Sequence, residues 1–251
     1  MSGQLAGQVA IITGGSRGIG RAIATLFAQN GADIAFCHLR DPEGAAEVAG
    51  RIQALGRRAF HADLDVADLP ALRAFIATAQ TALGPCDVLV NNAGLNLRGP
   101  IEQITEEMFD RVMSVHVRAS FFAAQAVWAG MAARGRGRII TTASQLAFKG
   151  GAGIVPYCTA KAALVGMTRA LAREGAPRGI LVNAIAPGPV ETDLTAQLGA
   201  GWAERTGAAL PLGRVGQPEE IAAAALLLAS SPGGDFFVGA TISPNGGDVM
   251  H

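Results

Sequence analysis

Tyr157 and Lys161 are the residues of this chain best suited to moving a proton. Four positions apart on a helix, they share one face and lie about 6 Å apart along its axis. A free tyrosine, with a pKa of about 10, is a poor proton shuttle near neutrality. A nearby ammonium favours the phenolate, and lowering the pKa by about 2–3 units takes roughly 3–4 kcal/mol. One lysine in a partly desolvated cleft can supply much of that. Tyr157 is the sole tyrosine, and Lys161 and Lys149 are the only lysines among 20 basic residues. Where arginine is the routine cation, a lysine marks a place where arginine fails; for Lys149, composition alone is the plainer account. Taken singly, the pair also reads as a buried tyrosine and a snorkelling lysine.

A second group is the turn Thr13-Gly14-Gly15-Ser16-Arg17-Gly18-Ile19-Gly20. Glycine lets the backbone turn tightly and approach a ligand, and the free N–H groups of a helix start favour a phosphate. A strand before it and a helix after it give the context of a dinucleotide site; without that context it is only a tight turn.

The elements that must hold these groups alternate. Apolar β-rich runs at 9–13, 33–37, 58–62, 87–90, 137–142, 180–186 and 239–243 predict strands. Helical patterns at 18–30, 42–55, 69–83, 105–133, 157–175 and 218–229 lie between them. The reading is an α/β single-domain Rossmann fold over residues 1–251, a doubly wound seven-stranded parallel sheet with helices on both faces. Ligands then bind at the carboxyl edge of the strands. The stretches 120–133 and 157–172 are apolar almost all round, which calls for a second cover, expected to be another subunit.

Composition narrows the classes. The 251 residues carry 20 basic and 20 acidic groups, are 50% hydrophobic and only 16% charged. That argues against disorder and against nucleic acid as a partner. No apolar run is long enough for a membrane span, and Met1-Ser2-Gly3-Gln4 lacks a signal-peptide pattern. Cys37, Cys86 and Cys158 are scattered, as are four histidines. A cytoplasmic protein without disulfides or a metal site is expected.

Residues 13–20 resemble the TGxxxGxG turn of short-chain dehydrogenases/reductases (SDRs). Asn91-Asn92-Ala93-Gly94 resembles their NNAG motif, and Tyr157-Cys158-Thr159-Ala160-Lys161 their YxxxK. Ser144 precedes Tyr157 by 13 residues, as the family's serine does, and Pro187-Gly188 with Thr192 resembles the segment after the sixth strand. The matches keep the family order over nearly the whole chain. The resemblance implies an NAD(P) cofactor and hydride transfer between a carbonyl and an alcohol. It implies that Ser144 hydrogen-bonds the substrate carbonyl, Tyr157 exchanges the proton, and Lys161 lowers the tyrosine pKa and holds the ribose.

It also implies cofactor contacts from Gly14, Ser16, Arg17, Gly18, Ile19 and Gly20 in the turn, and from Asn91, Ala93 and Gly94 beside the adenosine. Pro187, Gly188, Val190 and Thr192 complete the set. Asp65, followed by Val66, is chosen over Asp63 for the adenine amine. The position that carries an acid in NAD-preferring members is His38; Arg40 and Arg17 suit a 2′-phosphate, so NADP(H) is favoured over NAD(H) despite Asp41. One position departs from the family: His116 stands where an asparagine helps hold a water beside the lysine. A histidine can take its place by donating and accepting, can titrate, or can simply pack.

The closest flavour is that of 3-oxoacyl-ACP reductases. Arg134, Arg136, Arg138 and Arg178 are then candidates for an acidic carrier, although such arginines also read as solvated surface. A sugar, polyol or other small-alcohol dehydrogenase is the alternative, and a catalytically impaired nucleotide sensor the alternative of another class. Leu95, Gln145, Leu146, Phe148, Ile154, Pro189, Leu194 and Trp202 are expected around the substrate carbonyl. That largely apolar lining, without a carboxylate, favours ketones with apolar flanks, acyl chains included. A homotetramer is expected by resemblance.

Overall fold

In the computed structural model, which describes residues 3–250 apart from the side chain of Leu194, seven parallel strands form one sheet. Met1 and Ser2, part of the segment read for a leader, lie outside the described residues, as does the Leu194 side chain. The strands are β1 (Val9–Thr13), β2 (Asp33–His38), β3 (Ala59–Asp63), β4 (Val88–Asn91), β5 (Gly137–Thr142), β6 (Ile180–Ile185) and β7 (Thr241–Ile242). Their order is β3-β2-β1-β4-β5-β6-β7. The direction of winding reverses between β1 and β4, and a crevice opens at that switch point.

β1, β2 and β4 are buried along their whole length because helices cover both faces. Alternation along β1 sends Ala10 and Ile12 to one core and Val9 and Ile11 to the other. The first core is closed by α1 (Gly18–Gln29), α2 (Pro42–Ala54) and α10 (Pro218–Ala229). The second is closed by α3 (Leu69–Leu83), α5 (Ala119–Arg134) and the later part of α7 (Val155–Gly175). Asp41 and Asp68 cap α2 and α3 by accepting backbone N–H groups from Gly44 and Ala71.

β1 and β5 keep their expected bounds, β2, β3, β4 and β6 differ from theirs by a residue, and β7 shrinks from five expected residues to Thr241–Ile242. The single helix expected over 105–133 is instead three segments. α4 (Glu106–Met113), capped by Thr105, runs into a π-helical turn at Ser114–Arg118 and then α5. An inserted residue turns the later side chains by about 100°, but the stretch after it is apolar almost all round, so the shift leaves no mark in the sequence pattern. Short helices α6 (Leu146–Lys149), α8 (Asp193–Ala196) and α9 (Trp202–Ala208) were also missed. α7 begins at Val155 with Pro156 in its first turn, two residues before the expected start.

The two apolar helices are not buried all round within one chain. α5 turns Ala123, Ala124, Val127 and Met131 inward and leaves Phe121, Gln125, Ala126 and Ala129 exposed. α7 (Val155–Gly175) buries Ala160, Lys161, Leu164, Val165 and Thr168, and leaves Ala162, Gly166, Arg169 and Ala170 exposed.

The arginines considered for an acidic carrier sit at the amino edge of the strands. Arg134 Nη2 donates to the Cys86 carbonyl at 2.5 Å, and Arg136 Nη2 stands 3.4 Å from Asp87 Oδ1. Arg138 pairs with Asp235 and reaches the Gly234 carbonyl at 3.1 Å. Arg178 ends the turn before β6 and is exposed. A six-residue strand, about 17–20 Å, separates this edge from the carboxyl edge of the same chain. Among the described residues no helix is long and apolar enough to cross a membrane, and no three His, Cys, Asp or Glu side chains form a group that could hold a metal.

Candidate active site

The carboxyl ends of β4 and β5 and the start of α7 bring Ser144, Tyr157, Lys161 and His116 together. Lys161 is 3% exposed; its Nζ donates to the Thr142 carbonyl at 2.6 Å and stands 5.4 Å above the centre of the Tyr157 ring. A side-chain hydrogen bond joins Ser144 to Tyr157, and Ser144 Oγ accepts the Leu146 N–H at 3.2 Å. Burial pulls the Lys161 ammonium down to about 7, so near neutrality it is about to lose its proton. Burial pushes the Tyr157 phenol up to about 12, although the Ser144 bond and the Arg98 charge act the other way. The expected lowering by Lys161 is therefore not realised in the protein alone. Removing the phenolate from water costs more than its neighbours return.

His116 lies in the π-helical turn, 1% exposed, with its ring edge-on to that of Tyr157 at 5.5 Å. Nε2 is 2.7 Å from the Leu95 carbonyl and 3.1 Å from the Leu95 nitrogen, while Nδ1 is buried without a hydrogen-bond partner. Its backbone carbonyl accepts from Ser120 Oγ at 2.6 Å. Burial, with the Lys161 charge nearby, drops its pKa to about 3. The titration considered for this histidine is thus excluded near neutrality; it is a neutral ring that ties the loop after β4 to the π-helical turn. Gly94 belongs to the same arrangement, since a Cβ there would sit 2.5 Å from His116 Cε1.

Across the crevice lies the glycine-rich turn. Gly14 adopts φ +69°, and a Cβ on Gly20 would fall 2.0 Å from the Gly14 carbonyl oxygen, so the turn accepts only glycine at that crossing. Asn92, which the sequence reading did not assign a role, fastens it. Its Nδ2 donates to the carbonyls of Thr13 and Gly14 at 3.2 and 3.0 Å, and Thr13 Oγ1 accepts the N–H groups of Asn92 and Ala93, both at 3.0 Å. The second asparagine of an Asn-Asn pair after a buried strand was the available signal. Asn91 instead turns its side chain toward α5, donating to the Ser120 carbonyl at 3.3 Å.

The start of α1 has no side-chain cap, and its first turn no acid. Free N–H groups beside a turn that tolerates no side chain fit a pyrophosphate. Ser16 is buried, Arg17 is exposed at the N-cap, and Gly18 packs near Thr192.

Beyond β2, Arg40 takes a left-handed backbone, φ +52°, and its N–H is held by Asp63 Oδ1 at 3.1 Å. His38 is buried 3.9 Å from the other oxygen of Asp63. Asp41, the acid that weakens the arginine reading, caps α2, its Oδ1 accepting the Gly44 N–H at 3.3 Å. Asp65 Oδ1 accepts from Ala67 N–H at 2.9 Å, and Oδ2 pairs with Arg111 at 2.8 Å. Val66 is buried beside it.

On the substrate side, Gln145 and Ile154 are buried, Leu95, Leu146, Pro189 and Trp202 partly buried, and Phe148 exposed. The expectation that no carboxylate faces these residues is overturned: Asp248, brought in by the chain after β7, accepts hydrogen bonds from Gln145 and Lys149. A contact 103 residues away in sequence leaves no local pattern. Trp202 and Thr192 also line a cavity of about 200 Å³ that Glu191 and Glu204 border. Val190 pairs with Gly216, and a Cβ on Gly188 would meet Asn245 Cα at 2.5 Å.

Residues 8–202 match the family model described as short chain dehydrogenase. A 3-oxoacyl-acyl-carrier-protein reductase of Vibrio harveyi is 36% identical over 98% of this chain and 99% of that protein. A 2-dehydro-3-deoxy-D-gluconate 5-dehydrogenase of Pseudoalteromonas atlantica is 37% identical over 97% and 96%. The solved structure of a short chain dehydrogenase from Burkholderia cenocepacia, in complex with NADP, superposes with a TM-score of 0.90 at 38% identity, covering 97% of this chain and 98% of that one. Motifs, sheet order and full-length similarity agree, and the chain belongs to the short chain dehydrogenase family.

Proposed function

We propose that the protein is an NADP(H)-preferring carbonyl reductase and alcohol dehydrogenase whose one domain carries both cofactor and substrate sites, acting best on ketones with apolar flanks such as 3-oxoacyl thioesters. The observation that carries this is the convergence of Ser144, Tyr157 and Lys161 beside an uncapped helix start. The nicotinamide supplies or accepts the hydride when bound. Gly14, Ser16, Gly18, Ile19 and Gly20 would hold its pyrophosphate, Arg17 and Arg40 a 2′-phosphate, and Asp65, Val66, Ala93 and Gly94 the adenosine. Lys161 would hold the ribose, and Pro187, Gly188, Val190 and Thr192 the nicotinamide end. Asn91 contributes by bracing β4 against α5.

Ser144 donates to the substrate oxygen and offsets the charge that grows there. Tyr157, protonated at neutrality, delivers its Oη proton in reduction; the cost of the phenolate left behind favours prompt reprotonation. Lys161, with a pKa near 7, is suited to return that proton. His116 keeps the neighbouring backbone in place and stays neutral.

A small-polyol or keto-sugar dehydrogenase is the second reading, favoured by Asp248 and by Glu191 near the substrate side. An impaired nucleotide sensor has less support, because His116 fits its place through an Nε2 hydrogen bond to the Leu95 backbone. Steady-state turnover of ketones, keto-sugars and alcohols with NADPH and NADH separates these readings. Tyr157→Phe should lower kcat by about 10²–10⁴ while cofactor binding persists. Near wild-type turnover in that variant would remove the assignment, and NADPH binding without turnover of any carbonyl would favour the sensor.

A further inference from the structure

The residues after β7 form a turn wound round one side chain. Asn245, buried, donates through Nδ2 to Ser243 Oγ at 2.9 Å and to the Val249 carbonyl at 2.7 Å, and its Oδ1 accepts the Gly247 N–H at 2.8 Å. This turn joins three loops of the carboxyl edge. Gly188 N–H donates to the Pro244 carbonyl at 3.0 Å, and Leu212 N–H, beyond α9, to the Gly246 carbonyl at 3.1 Å. The third link is Asp248, whose Oδ2 accepts from both Gln145 Nε2 and Lys149 Nζ.

A carboxylate only accepts, so it fixes which way the Gln145 amide points. Gln145 Oε1 is consequently buried with no hydrogen-bond partner, the mark of an amide oriented by its other end. Gln145 is 4% exposed and adjoins Ser144. Two hydrogen bonds to one oxygen place the Lys149 ammonium within about 6 Å of the Gln145 amide nitrogen. The side chains of Lys149 and Asp248 are 40% and 20% exposed, so the pair is partly shielded from solvent at the end of α6.

We propose that Asp248 is a specificity-determining and positioning residue: it orients Gln145 beside Ser144 and cancels the charge of Lys149, so that the site takes carbonyl substrates lacking an anionic group close to the carbonyl. The proposal rests on the carbonyl-reductase reading. Freed of Asp248, Lys149 becomes an unpaired cation on the substrate side and attracts a carboxylate.

Ethyl acetoacetate and acetoacetate carry the same ketone and differ in charge. Their reduction with NADPH is compared in wild type, Asp248→Asn, Asp248→Ala, Lys149→Met and the Asp248→Asn/Lys149→Met double variant. Wild type should prefer the ester. Asp248→Asn should lower KM for acetoacetate relative to the ester at least tenfold, and the double variant should lose that gain. For the ester, kcat should fall several-fold in Asp248→Ala and recover in Asp248→Asn, because asparagine can still accept from Gln145. An unchanged acid-to-ester ratio in Asp248→Asn, or a gain that survives in the double variant, overturns the proposal.

A second readout needs no turnover. With two lysines in the chain, peptide mapping after limited acetylation reads Lys149 directly. Millimolar acetoacetate should slow its acetylation in Asp248→Asn and leave wild type unaffected. Protection in both or in neither overturns the proposal. Absence of reduction by every variant counts against the carbonyl-reductase reading, and the protection result then decides the role of Asp248.

Discussion

At the scale of single residues, the site is governed by what burial does to charge. His116 is held neutral by burial and by the Lys161 charge, with a pKa near 3 against an ordinary 6.5. Between those values the unfolded chain binds the extra proton, so this residue makes stability fall as the pH drops from about 6.5 toward 3. His116→Asn should flatten that part of a Tm-against-pH curve and retain most activity, whereas His116→Leu, unable to bond Leu95, should lose activity. Gly94→Ala should destabilise by about 1–3 kcal/mol through contact with the ring. The loss should shrink in the His116→Asn background; additive losses in a double-mutant cycle would separate the two positions. Arg17 and Arg40 belong to the same scale. Replacing both by alanine should raise KM for NADPH at least tenfold and leave NADH within about twofold, and equal losses for both cofactors would leave the 2′-phosphate assignment without support.

Elements are tied at their ends by polar groups. Asp33 opens β2 and accepts the Arg58 N–H at 2.9 Å, Arg58 Nε at 2.7 Å and Arg57 Nη2 at 2.5 Å, which fixes the start of β3. Burial raises its pKa, but these bonds outweigh burial and hold it below 3.8. A depressed carboxylate pKa contributes stability above the unfolded value that is lost as the pH falls through the folded one. Asp33→Asn should therefore lower Tm at pH 7 and show a shallower loss than wild type as the pH falls below about 4. Parallel acid limbs in the two proteins would mean that the arginines do not stabilise the carboxylate. The π-helical turn acts at this scale too. By interrupting the long helix at Ser114–Arg118 it sets His116 against Leu95 and Tyr157.

At the scale of the whole molecule, an apolar face lies without a cover among the described residues. Phe121 is 43% exposed on α5, and Ile101 and Phe109 border an open cavity of about 370 Å³ beside α4. Small exposed residues on α7 allow another helix to approach closely. We expect a homo-oligomer built on α4, α5 and α7, with Phe121 in the interface and Leu164, buried in its own chain, outside it. Light scattering at micromolar concentration should give a multiple of the chain mass, and Phe121→Asp should shift it toward smaller species. A wild-type monomer would contradict this arrangement.

The sequence by itself determined the sheet, most of its long helices and the placing of Tyr157 and Lys161 together, because those signals are local. Strands buried on both faces read as continuous apolar runs, and Tyr157 and Lys161 share a helix, so spacing alone places them on one face. The glycines of the first turn announced themselves because close backbone approach excludes every other residue. Tertiary structure decided what depends on distant partners. It made His116 neutral, engaged Asp41 as a helix cap, turned Asn91 inward and gave Asn92 the task of fastening β1 to β4. It also brought Asp248 to Gln145 across 103 residues, a pairing that no periodicity encodes. The reason is the same in each case. A side chain's charge and hydrogen-bond partners are set by whatever the fold packs beside it, and burial makes those neighbours count for more than the residue's own type.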